Sequence, residues 1–443
     1  MNILAKDFTA KSLLHYAFPT ILMMVFMSTY TIVDGLFIAN LVGEDALSAV
    51  NIVMPSLNVF FAIGLMFATG ATAVMGRLMG EKRAGEARSF LSVIYLAAIV
   101  LGLFISIVGF IFSDHILRFL GTPDELFDYS EKYFIVLLPF CVSFFLQVFT
   151  QSFFVLAGKP VIGFMTCVIG GITNIILDYI FISPDFFNMG IMGAGLATGI
   201  GNSIPAVFGL VYFLYNKKGT LYFEKPLWNK KHFFGSMFNG MSEFVSQIST
   251  AVTTLLFNMI LLNLVGKSGV ASVSVILYIQ MIQTAIYFGY IIGVAPIISY
   301  KYGAKDTVGL QKVLKISFRF IAIISVAVIL GSLLFDDIAV SLFIQQESAT
   351  FEPTKDGFRL FSIAYFFMGI NIFMSGMFTS LSDGKVSAIL SLARTLVFLV
   401  ASLLTLPILM GITGVWLAVP LAELAACVLC MYFYKGKKLV YGY

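Results

Sequence analysis

Long apolar segments, separated by short polar connections, recur from one end of the sequence to the other. Many of them run for about 20 residues, which is the length a helix needs to cross the hydrocarbon core of a bilayer. Apolar and polar positions do not alternate within them, as they do in the strands of a membrane barrel. The pattern predicts an all-α integral membrane protein with twelve transmembrane helices. Their predicted bounds are Ser12–Ala39, Ala46–Gly76, Phe90–Phe112, Ser130–Ala157, Val161–Ile182, Met192–Tyr215, Phe234–Val265, Val270–Tyr300, Val313–Phe335, Phe358–Leu381, Val386–Leu409 and Ile412–Tyr434.

Composition supports the membrane class and argues against several functions. Of the 443 residues, 59% are hydrophobic and only 11% are charged, whereas a soluble protein carries about 25% charged residues. The formal net charge of +4 gives no reason to expect a nucleic-acid partner. The cysteines fall within predicted spans and the histidines near predicted helix ends. We therefore expect no metal site, no catalytic site, no cofactor and no enzymatic activity.

The distribution of basic residues predicts how the chain is oriented in the membrane. Lys and Arg residues concentrate in the N-terminal segment and in every second loop, most densely between Lys217 and Lys231. The opposite loops carry only Arg118, Lys267 and Lys355. Because basic loops are retained in the cytoplasm, both termini are expected there. The protein is thus expected to be a multi-pass protein of the cell membrane, that is, the inner or plasma membrane.

The second half of the sequence repeats motifs of the first half in the same order. Val42-Gly43 matches Val265-Gly266, and Met189-Gly190-Ile191 matches Met410-Gly411-Ile412. Single glycines extend the match at the first of these offsets, namely Gly70 with Gly293 and Gly80 with Gly303. Gly158-Lys159 matches Gly384-Lys385 between these two motifs. Three motif matches in order at nearly one offset indicate an internal duplication.

The duplication predicts two pseudo-symmetric six-helix bundles. An even number of helices per repeat points both halves the same way across the membrane, with the substrate path between them. The predicted division is an N-lobe over residues 1–216, a cytoplasmic inter-lobe linker over 217–233 and a C-lobe over 234–443. Prolines inside the predicted helices suit bent helices around a wet cavity. These are Pro19, Pro55, Pro139, Pro205, Pro296, Pro407 and Pro420.

Four acidic residues lie within predicted spans: Asp34, Asp178, Glu243 and Glu423. An ionisable group at membrane depth is costly and is a functional candidate by default. Asn174 precedes Asp178 by one helical turn, so both project from the same face. If their helix meets Asp34, the three side chains form a pocket for a proton or small cation, because two close carboxylates resist joint ionisation. The alternative is that each acid hydrogen-bonds to backbone or pairs with a base.

Arg394 is the base placed deep within a predicted span, and its expected partner is Glu423 or Glu243. A structural ion pair and a functional role both remain open for these residues. Glu243 lies near a predicted helix start, from which its side chain could reach the interface. The 46 Phe and 20 Met residues could line a promiscuous cavity, although most must face lipid or core.

Several motifs together resemble the multidrug and toxic compound extrusion (MATE) transporters. They are Pro19 followed by Tyr-Thr-Ile-Val-Asp-Gly-Leu-Phe-Ile (Tyr30–Ile38), the segments Gly170–Ile182 and Gly193–Thr198, and Gly-Val-Trp-Leu-Ala-x-Pro-Leu-Ala-Glu (Gly414–Glu423). The resemblance extends over all twelve predicted helices. It implies two six-helix bundles around a V-shaped cavity, and antiport of organic, often cationic, compounds against H⁺ or alternatively Na⁺.

The resemblance also implies which residues bind the coupling ion. The N-lobe cation site of the family matches Asp34, Asn174, Asp178 and Thr198. Some members use a further C-lobe site with acids on helices 7 and 10. Here helix 10 carries Asn371 and Ser375 in place of an acid, and helix 7 carries Gln247 deeper than Glu243. This departure concentrates the expected ion coupling on the N-lobe.

The leading prediction is therefore a monomeric secondary exporter of small organic compounds embedded in the lipid bilayer. The alternative is a flippase or exporter of an amphiphilic or lipid-linked substrate. That function favours a strongly cationic cavity, and the sequence offers one buried arginine. A membrane-embedded enzyme lacks a nucleophile–base or metal constellation. A passive channel fits the duplication and the kinked helices less well than alternating access does.

Overall fold

The computed structural model describes residues 3–443. Within this range it describes all side chains except those of Leu36, Ala39, Asn40, Glu44 and Lys267. The Lys267 side chain of the predicted charge pattern therefore lies outside the described part. The α-helices of the first half are α1 (Ala10–Leu41), α2 (Glu44–Gly80), α3 (Ala84–Ile111), α4 (Ser113–Phe119), α5 (Asp124–Leu137), α6 (Cys141–Leu156), α7 (Pro160–Ile182) and α8 (Ile191–Tyr215). Those of the second half are α9 (Lys230–Leu264), α10 (Lys267–Gly303), α11 (Thr307–Leu334), α12 (Asp336–Ser341), α13 (Phe351–Ser362), α14 (Ala364–Ser380), α15 (Gly384–Leu392), α16 (Leu399–Met410) and α17 (Ile412–Tyr441).

The described helices confirm the all-α membrane class. Eleven helical segments are long and apolar enough to cross a bilayer. A twelfth span arises when α13 and α14, which meet at an angle of 47°, are counted together. The prediction of twelve spans agrees with this count, with the tenth span bent rather than straight.

Several predicted helix bounds are wrong, for a common physical reason. The sequence predicts the tenth span at Phe358–Leu381, but its helix already begins at Phe351. The residues between these two starts include acids and a lysine, which interrupt an apolar run without interrupting a helix. In the same way α3 begins at Ala84 rather than Phe90, and α9 at Lys230 rather than Phe234. The short helices α4 and α12 were not predicted, because each is too short to show a periodicity.

Two further spans contain breaks in regular α-helix. A 3₁₀ turn, Leu138–Phe140, joins α5 to α6, at the point where Pro139 has no backbone N–H to donate. The predicted fourth helix, Ser130–Ala157, is therefore an interrupted one that begins at Asp124. A π-helical segment, Ala393–Phe398, joins α15 to α16. Such segments occur mostly at functional sites, and this one carries Arg394.

The two halves of the chain meet where α1 packs along α10 and α2 packs along α9 and α10. Glycines allow this close approach. A Cβ atom on Gly70 of α2 would collide with the carbonyl oxygen of Ser236 on α9, and one on Gly240 of α9 would collide with that of Met66 on α2. Because neither backbone can yield, both positions require glycine.

Residues 217–229, which we call the linker strap, connect α8 to α9 and are bonded to α3. The Ser92 hydroxyl donates to the carbonyl oxygen of Glu224 at 2.7 Å, and the Ser89 hydroxyl donates to that of Lys225 at 2.9 Å. The Arg88 guanidinium donates to the Glu224 carboxylate at 3.1 Å. The backbone N–H of Leu227 donates to the Ser89 hydroxyl at 2.8 Å. The strap is therefore held against the first half of the chain.

Candidate ion and substrate sites

The structure brings together the acids of α1 and α7 that the sequence singled out. Helix α1 packs against α7, and the side chain of Asp34 faces those of Asp178 and Asn174 closely enough to interact. Asp34 is 8% exposed, Asn174 1% and Asp178 0%. The juxtaposition expected from the helical spacing is thus present. The role of these residues stays a prediction.

The polar atoms of this acid cluster are largely without hydrogen-bond partners among the described residues. Both carboxylate oxygens of Asp178, both amide atoms of Asn174 and the Oδ1 atom of Asp34 are buried and unpaired. Each such group costs about 1–3 kcal/mol when it is left unsatisfied. Carboxylate and amide oxygens that converge in apolar surroundings would be stabilised by a proton or by a small hard cation. The donor set of the cluster therefore suits a proton or a small cation.

Hydroxyl groups complete the walls of the cluster. Thr198 of α8 faces Tyr133 of α5, and the Thr198 hydroxyl is buried without a partner among the described residues. Tyr30 precedes Asp34 by one turn of α1 and lies next to both acids. Gly201 of α8 leaves room for Asn174, since a Cβ on Gly201 would lie 2.7 Å from the Asn174 Cβ. Thr198 thus lies where the resemblance implied.

Sequence reasoning missed several polar members of this region. A small pocket with an empty volume of about 240 Å³ adjoins Asn174, and its lining includes Tyr30, Gln147 and Asn202. Gln147 and Asn202 are each only 8% exposed. Because an amide side chain is unusual inside an apolar span, the sequence alone could have identified Gln147 and Asn202 as candidates. The tyrosines offered no such signal, because tyrosine is common in membrane helices.

A larger cavity lies between the two halves of the chain. Its empty volume is about 1090 Å³, part of which is open to solvent. Helices α1, α2, α6, α9, α10 and α14 contribute its walls. The apolar lining includes Met23, Met24 and Met27 of α1, with Phe61 and Phe288. The hypothesis that Met and aromatic residues line a cavity therefore applies to this subset of them.

Helix α1 is the element shared by the two sites. Met23, Met24 and Met27 face the cavity, whereas Asp34 lies in the acid cluster. Asp34 follows Met27 by seven positions, which is about 10 Å along the helix axis. Any repacking of α1 around Asp34 would therefore move one wall of the cavity.

The second half of the chain contains its own buried charged cluster. Nε of Arg394 lies 3.6 Å from Oε1 of Glu423. Of the two partners that the sequence allowed for Arg394, Glu423 and Glu243, the ion pair is therefore formed with Glu423. The Asn371 amide donates to Oε2 of Glu423 at 2.6 Å and to its backbone oxygen at 2.8 Å. Asn371 of α14 thus holds the carboxylate of an acid that comes from α17.

Glu243 and Gln247 both line the cavity between the two halves. The expectation that Glu243 lies near a helix start is wrong, because α9 begins at Lys230. Thirteen residues of α9 precede Glu243, which is about 20 Å of helix. The positive charge of Arg394 acts on the Glu243 carboxylate. Glu243 is half-buried and faces the cavity rather than the membrane interface.

Neither cysteines nor histidines build a site in the described part of the chain. All four cysteines are free there. No group of three or more His, Cys, Asp or Glu side chains among the described residues could hold a metal ion.

A bundle of eleven or twelve membrane spans, with a cavity between its two halves and buried acids beside it, defines the class of polytopic membrane transporters. Comparison with known proteins places the chain within that class. The family model described as MatE matches residues 19–180 and 244–404. The chain belongs to the MatE family, as the sequence motifs indicated.

Related proteins and solved structures agree with this assignment. The multidrug export protein MepA of Staphylococcus aureus (strain bovine RF122 / ET3-1) is 25% identical over 417 residues, covering 93% of this chain and 90% of MepA. MepA of Staphylococcus haemolyticus (strain JCSC1435) is 26% identical over 428 residues, covering 95% and 92%. The solved structure described as the outward-facing conformation of a multidrug resistance MATE family transporter of the MOP superfamily has a TM-score of 0.92 at 20% identity. It covers 99% of this chain and 97% of its own, and shows that the fold is shared.

Proposed function

We propose that the protein is a secondary active exporter of lipophilic, often cationic compounds, driven by antiport against H⁺ or Na⁺. Its membership of the MatE family and its similarity to proteins named for multidrug export support this function. The proposal includes the cell membrane as its location, cytoplasmic termini and action as a monomer. The units proposed to move are the N-lobe (1–216) and the C-lobe (234–443), joined by the linker (217–233).

The observation that carries the proposal is the double role of α1. An antiporter needs ion binding and substrate binding to favour opposite states, so that each drives the release of the other. Helix α1 presents Met23, Met24 and Met27 to the cavity and Asp34 to the acid cluster. A change of charge at Asp34 therefore acts on the same rigid element that forms the substrate wall.

The coupling step follows from the unpaired state of the acid cluster. Binding of a proton or cation by Asp34 and Asp178 removes negative charge from a buried site and offers partners to its unpaired oxygens. Helix α1 then repacks against α7, with Pro19 as the point where a missing backbone hydrogen bond permits bending. Thr198 and Asn174 supply the remaining oxygen atoms, which suit a sodium ion as well as a proton.

The test is transport of ethidium into proteoliposomes under a proton gradient and a sodium gradient, imposed separately. We expect one of the two gradients to drive accumulation, and that gradient identifies the coupling ion. Vesicles that contain the Asp34→Asn variant should accumulate no ethidium under either gradient. Failure of both gradients with the wild-type protein would overturn the proposal.

The flippase alternative gains no support from the cavity. Phosphate groups of a lipid-linked substrate would require bases in the lining. The described residues around the cavity include the acid Glu243 but no Lys or Arg.

A further inference from the structure

The end of the linker strap and the start of α9 expose aromatic and basic side chains next to each other. Trp228 is 56% exposed, Phe234 59% and Phe238 55%, and three lysines on the same short stretch of chain are exposed as well. We call this surface the interfacial patch. Its members are Lys225, Trp228, Lys230, Lys231, Phe234 and Phe238.

The members of the patch on α9 are ordered along one face of the helix. Lys230, Phe234 and Phe238 follow one another at intervals of four residues, so their side chains lie on the same face, about one turn apart. The charge lies at the end of the helix, and the two rings lie towards the apolar span that follows. A membrane helix presents this order of side chains where it leaves the hydrocarbon core and enters the headgroup region.

Trp228 is held beside this face by aromatic contacts. Its ring centroid lies 4.5 Å from that of Phe233, and the Phe233 ring lies 5.5 Å from Phe234 and 5.8 Å from Phe67 of α2. The exposed indole is therefore supported by packed rings. An indole has an apolar body and one N–H donor, and it is the side chain that prefers the level of lipid headgroups.

The lysines of the patch are not neutralised by the described part of the chain. Lys225, Lys230 and Lys231 form no ion pair of 4 Å or less with a described carboxylate. Glu224, the acid nearest to them in the sequence, is paired with Arg88 at 3.1 Å. The first turn of α9 contains no acid, although negative charge is favoured at that end of a helix. The complementary partner of the patch is therefore an anion from outside the described chain.

We propose that the interfacial patch binds an anionic phospholipid. The lysine ammonium groups attract its phosphate, the Trp228 N–H donates to an oxygen of the headgroup region, and Phe234 and Phe238 pack against the upper part of its acyl chains. A zwitterionic phospholipid offers the same acyl chains without the net negative charge, so the patch discriminates by headgroup charge.

This inference rests on the proposed function, which places the strap at the cytoplasmic side of the cell membrane, where anionic lipids attract basic segments. It adds a lipid partner that ion coupling and substrate binding do not require. The strap is hydrogen-bonded to α3, and a lipid bound to the patch would hold the same end of α9 to the bilayer surface. The start of α9 would thus be fixed from two sides.

The test uses the two tryptophans of the chain. Trp228 is exposed, whereas Trp416 is buried. Full-length protein is reconstituted into phosphatidylcholine vesicles that contain an increasing fraction of phosphatidylglycerol or phosphatidylcholine brominated near the top of the acyl chains. The emission of the Trp228→Phe variant is subtracted as the background from Trp416. Phosphatidylglycerol should reach half-maximal quenching of Trp228 at a mole fraction about fivefold lower than phosphatidylcholine does, as expected from even one well-placed lysine.

Removal of the charges should abolish this preference and leave the contact with lipid. In the triple variant Lys225→Gln/Lys230→Gln/Lys231→Gln, both brominated lipids should quench Trp228 at mole fractions within about twofold of each other. High salt should have the same effect on the wild-type protein, since exposed charges are screened. The salt series tests the inference without any variant, so it applies even if the triple variant cannot be reconstituted.

The matched control makes the same change of charge elsewhere. Lys82, Lys305 and Lys385 are exposed lysines of other loops, and Lys82→Gln/Lys305→Gln/Lys385→Gln should keep the preference of wild type. Equal quenching of wild type by the two lipids would overturn the inference, and so would a preference that survives in the triple variant of the patch. Absence of quenching by either lipid would also overturn it, because the patch would then be covered by another partner, such as a second copy of the chain.

The two proposals fail in different ways. The quenching assay requires no ion gradient and no substrate. If Trp228 shows no headgroup preference while a gradient still drives ethidium accumulation, only this inference is overturned. If neither gradient drives accumulation, the proposed function is overturned, whatever the quenching shows.

Discussion

Gly80 at the end of α2 and Gly303 at the end of α10 are in direct backbone contact. A Cβ atom on Gly80 would lie 3.0 Å from the carbonyl carbon of Gly303 and 2.7 Å from the backbone nitrogen of Ala304. A Cβ on Gly303 would lie 2.9 Å from the carbonyl carbon of Arg77. The two glycines are repeat partners in the sequence, and together they close the two halves of the chain against each other at this end.

We expect Gly80→Val or Gly303→Val to separate α2 from α10, because a side chain between two backbones cannot be accommodated by rotation. The measurement is the distance between spin labels at Lys82 and Lys305, exposed positions just after the two helices. It should increase by several ångströms. Gly436→Val is the matched control, because nothing lies within 4 Å of a Cβ at Gly436. An unchanged distance in both variants would show that this contact does not close the cavity.

Substitution of the N-lobe acids should uncouple transport. Asp34→Asn and Asp178→Asn each imitate a permanently protonated carboxyl group, so we expect gradient-driven dye efflux to be abolished while the protein reaches the membrane at normal levels. Efflux is measured in cells or vesicles, with expression checked in parallel. If both variants export dye as wild type does, ion coupling must be sought at Glu243 and Glu423 instead.

Removing one partner of the buried Arg394–Glu423 ion pair should destabilise the protein more than removing both partners does. Arg394→Met leaves Glu423 without its base and should lower the unfolding free energy by about 3–5 kcal/mol. The double variant Arg394→Met/Glu423→Gln removes both charges and should recover most of that loss. The stabilities of the single and the double variant are compared by thermal unfolding of the purified proteins in the same detergent. A double variant less stable than either single one would contradict the assignment.

The linker strap should become accessible to protease when its anchor is removed. Arg88 donates to the Thr220 carbonyl oxygen at 3.2 Å and to the Tyr222 hydroxyl at 2.7 Å, and its guanidinium lies over the Tyr222 ring. Arg88→Ala should therefore increase tryptic cleavage within the strap. Arg83→Ala is the control, since among the described residues Arg83 forms ion pairs with Glu81 and Glu86 and none with the strap. Equal cleavage in the two variants would mean that Arg88 does not hold the strap.

The orientation of the chain is testable independently of transport. Cysteines introduced at Lys218, Lys225 and Lys230 should react with an impermeant maleimide only in inside-out vesicles, because the basic loops are expected in the cytoplasm. Cysteines at Glu125, in the first turn of α5, or at Glu347, between α12 and α13, should react only in intact cells. Labelling of the strap from outside would reverse the predicted topology.

The acid cluster was predictable from the sequence, and the C-lobe geometry was not. The high cost of a carboxylate in the membrane identifies Asp34 and Asp178 without knowledge of the fold, and helical spacing adds Asn174. The pairing of Asn371 with Glu423 joins α14 to α17, and no local pattern reports a contact between helices so far apart in the chain. The depth of Glu243 was missed because the polar first turn of α9 hid where the helix begins.

The bend between α13 and α14 also left no local signal. It falls at Ile363, where the sequence has neither proline nor glycine. The break at Pro139 in the fourth span, by contrast, is explained by a residue that cannot donate a backbone hydrogen bond. Helix breaks are therefore predictable when a residue forces them and not when tertiary packing does.

The linker strap limits where the C-lobe can pivot in the proposed transport cycle. Its last bond to α3 is made by Leu227, so only two residues separate the anchored strap from the start of α9 at Lys230. Any swing of the C-lobe must leave that end of α9 almost in place. Helix α9 has 35 residues and is about 52 Å long, so a rotation of about 10° at the pivot carries its far end about 9 Å. In the proposed transport cycle, a rotation about the strap would therefore move most the end of α9 that lies farthest from it.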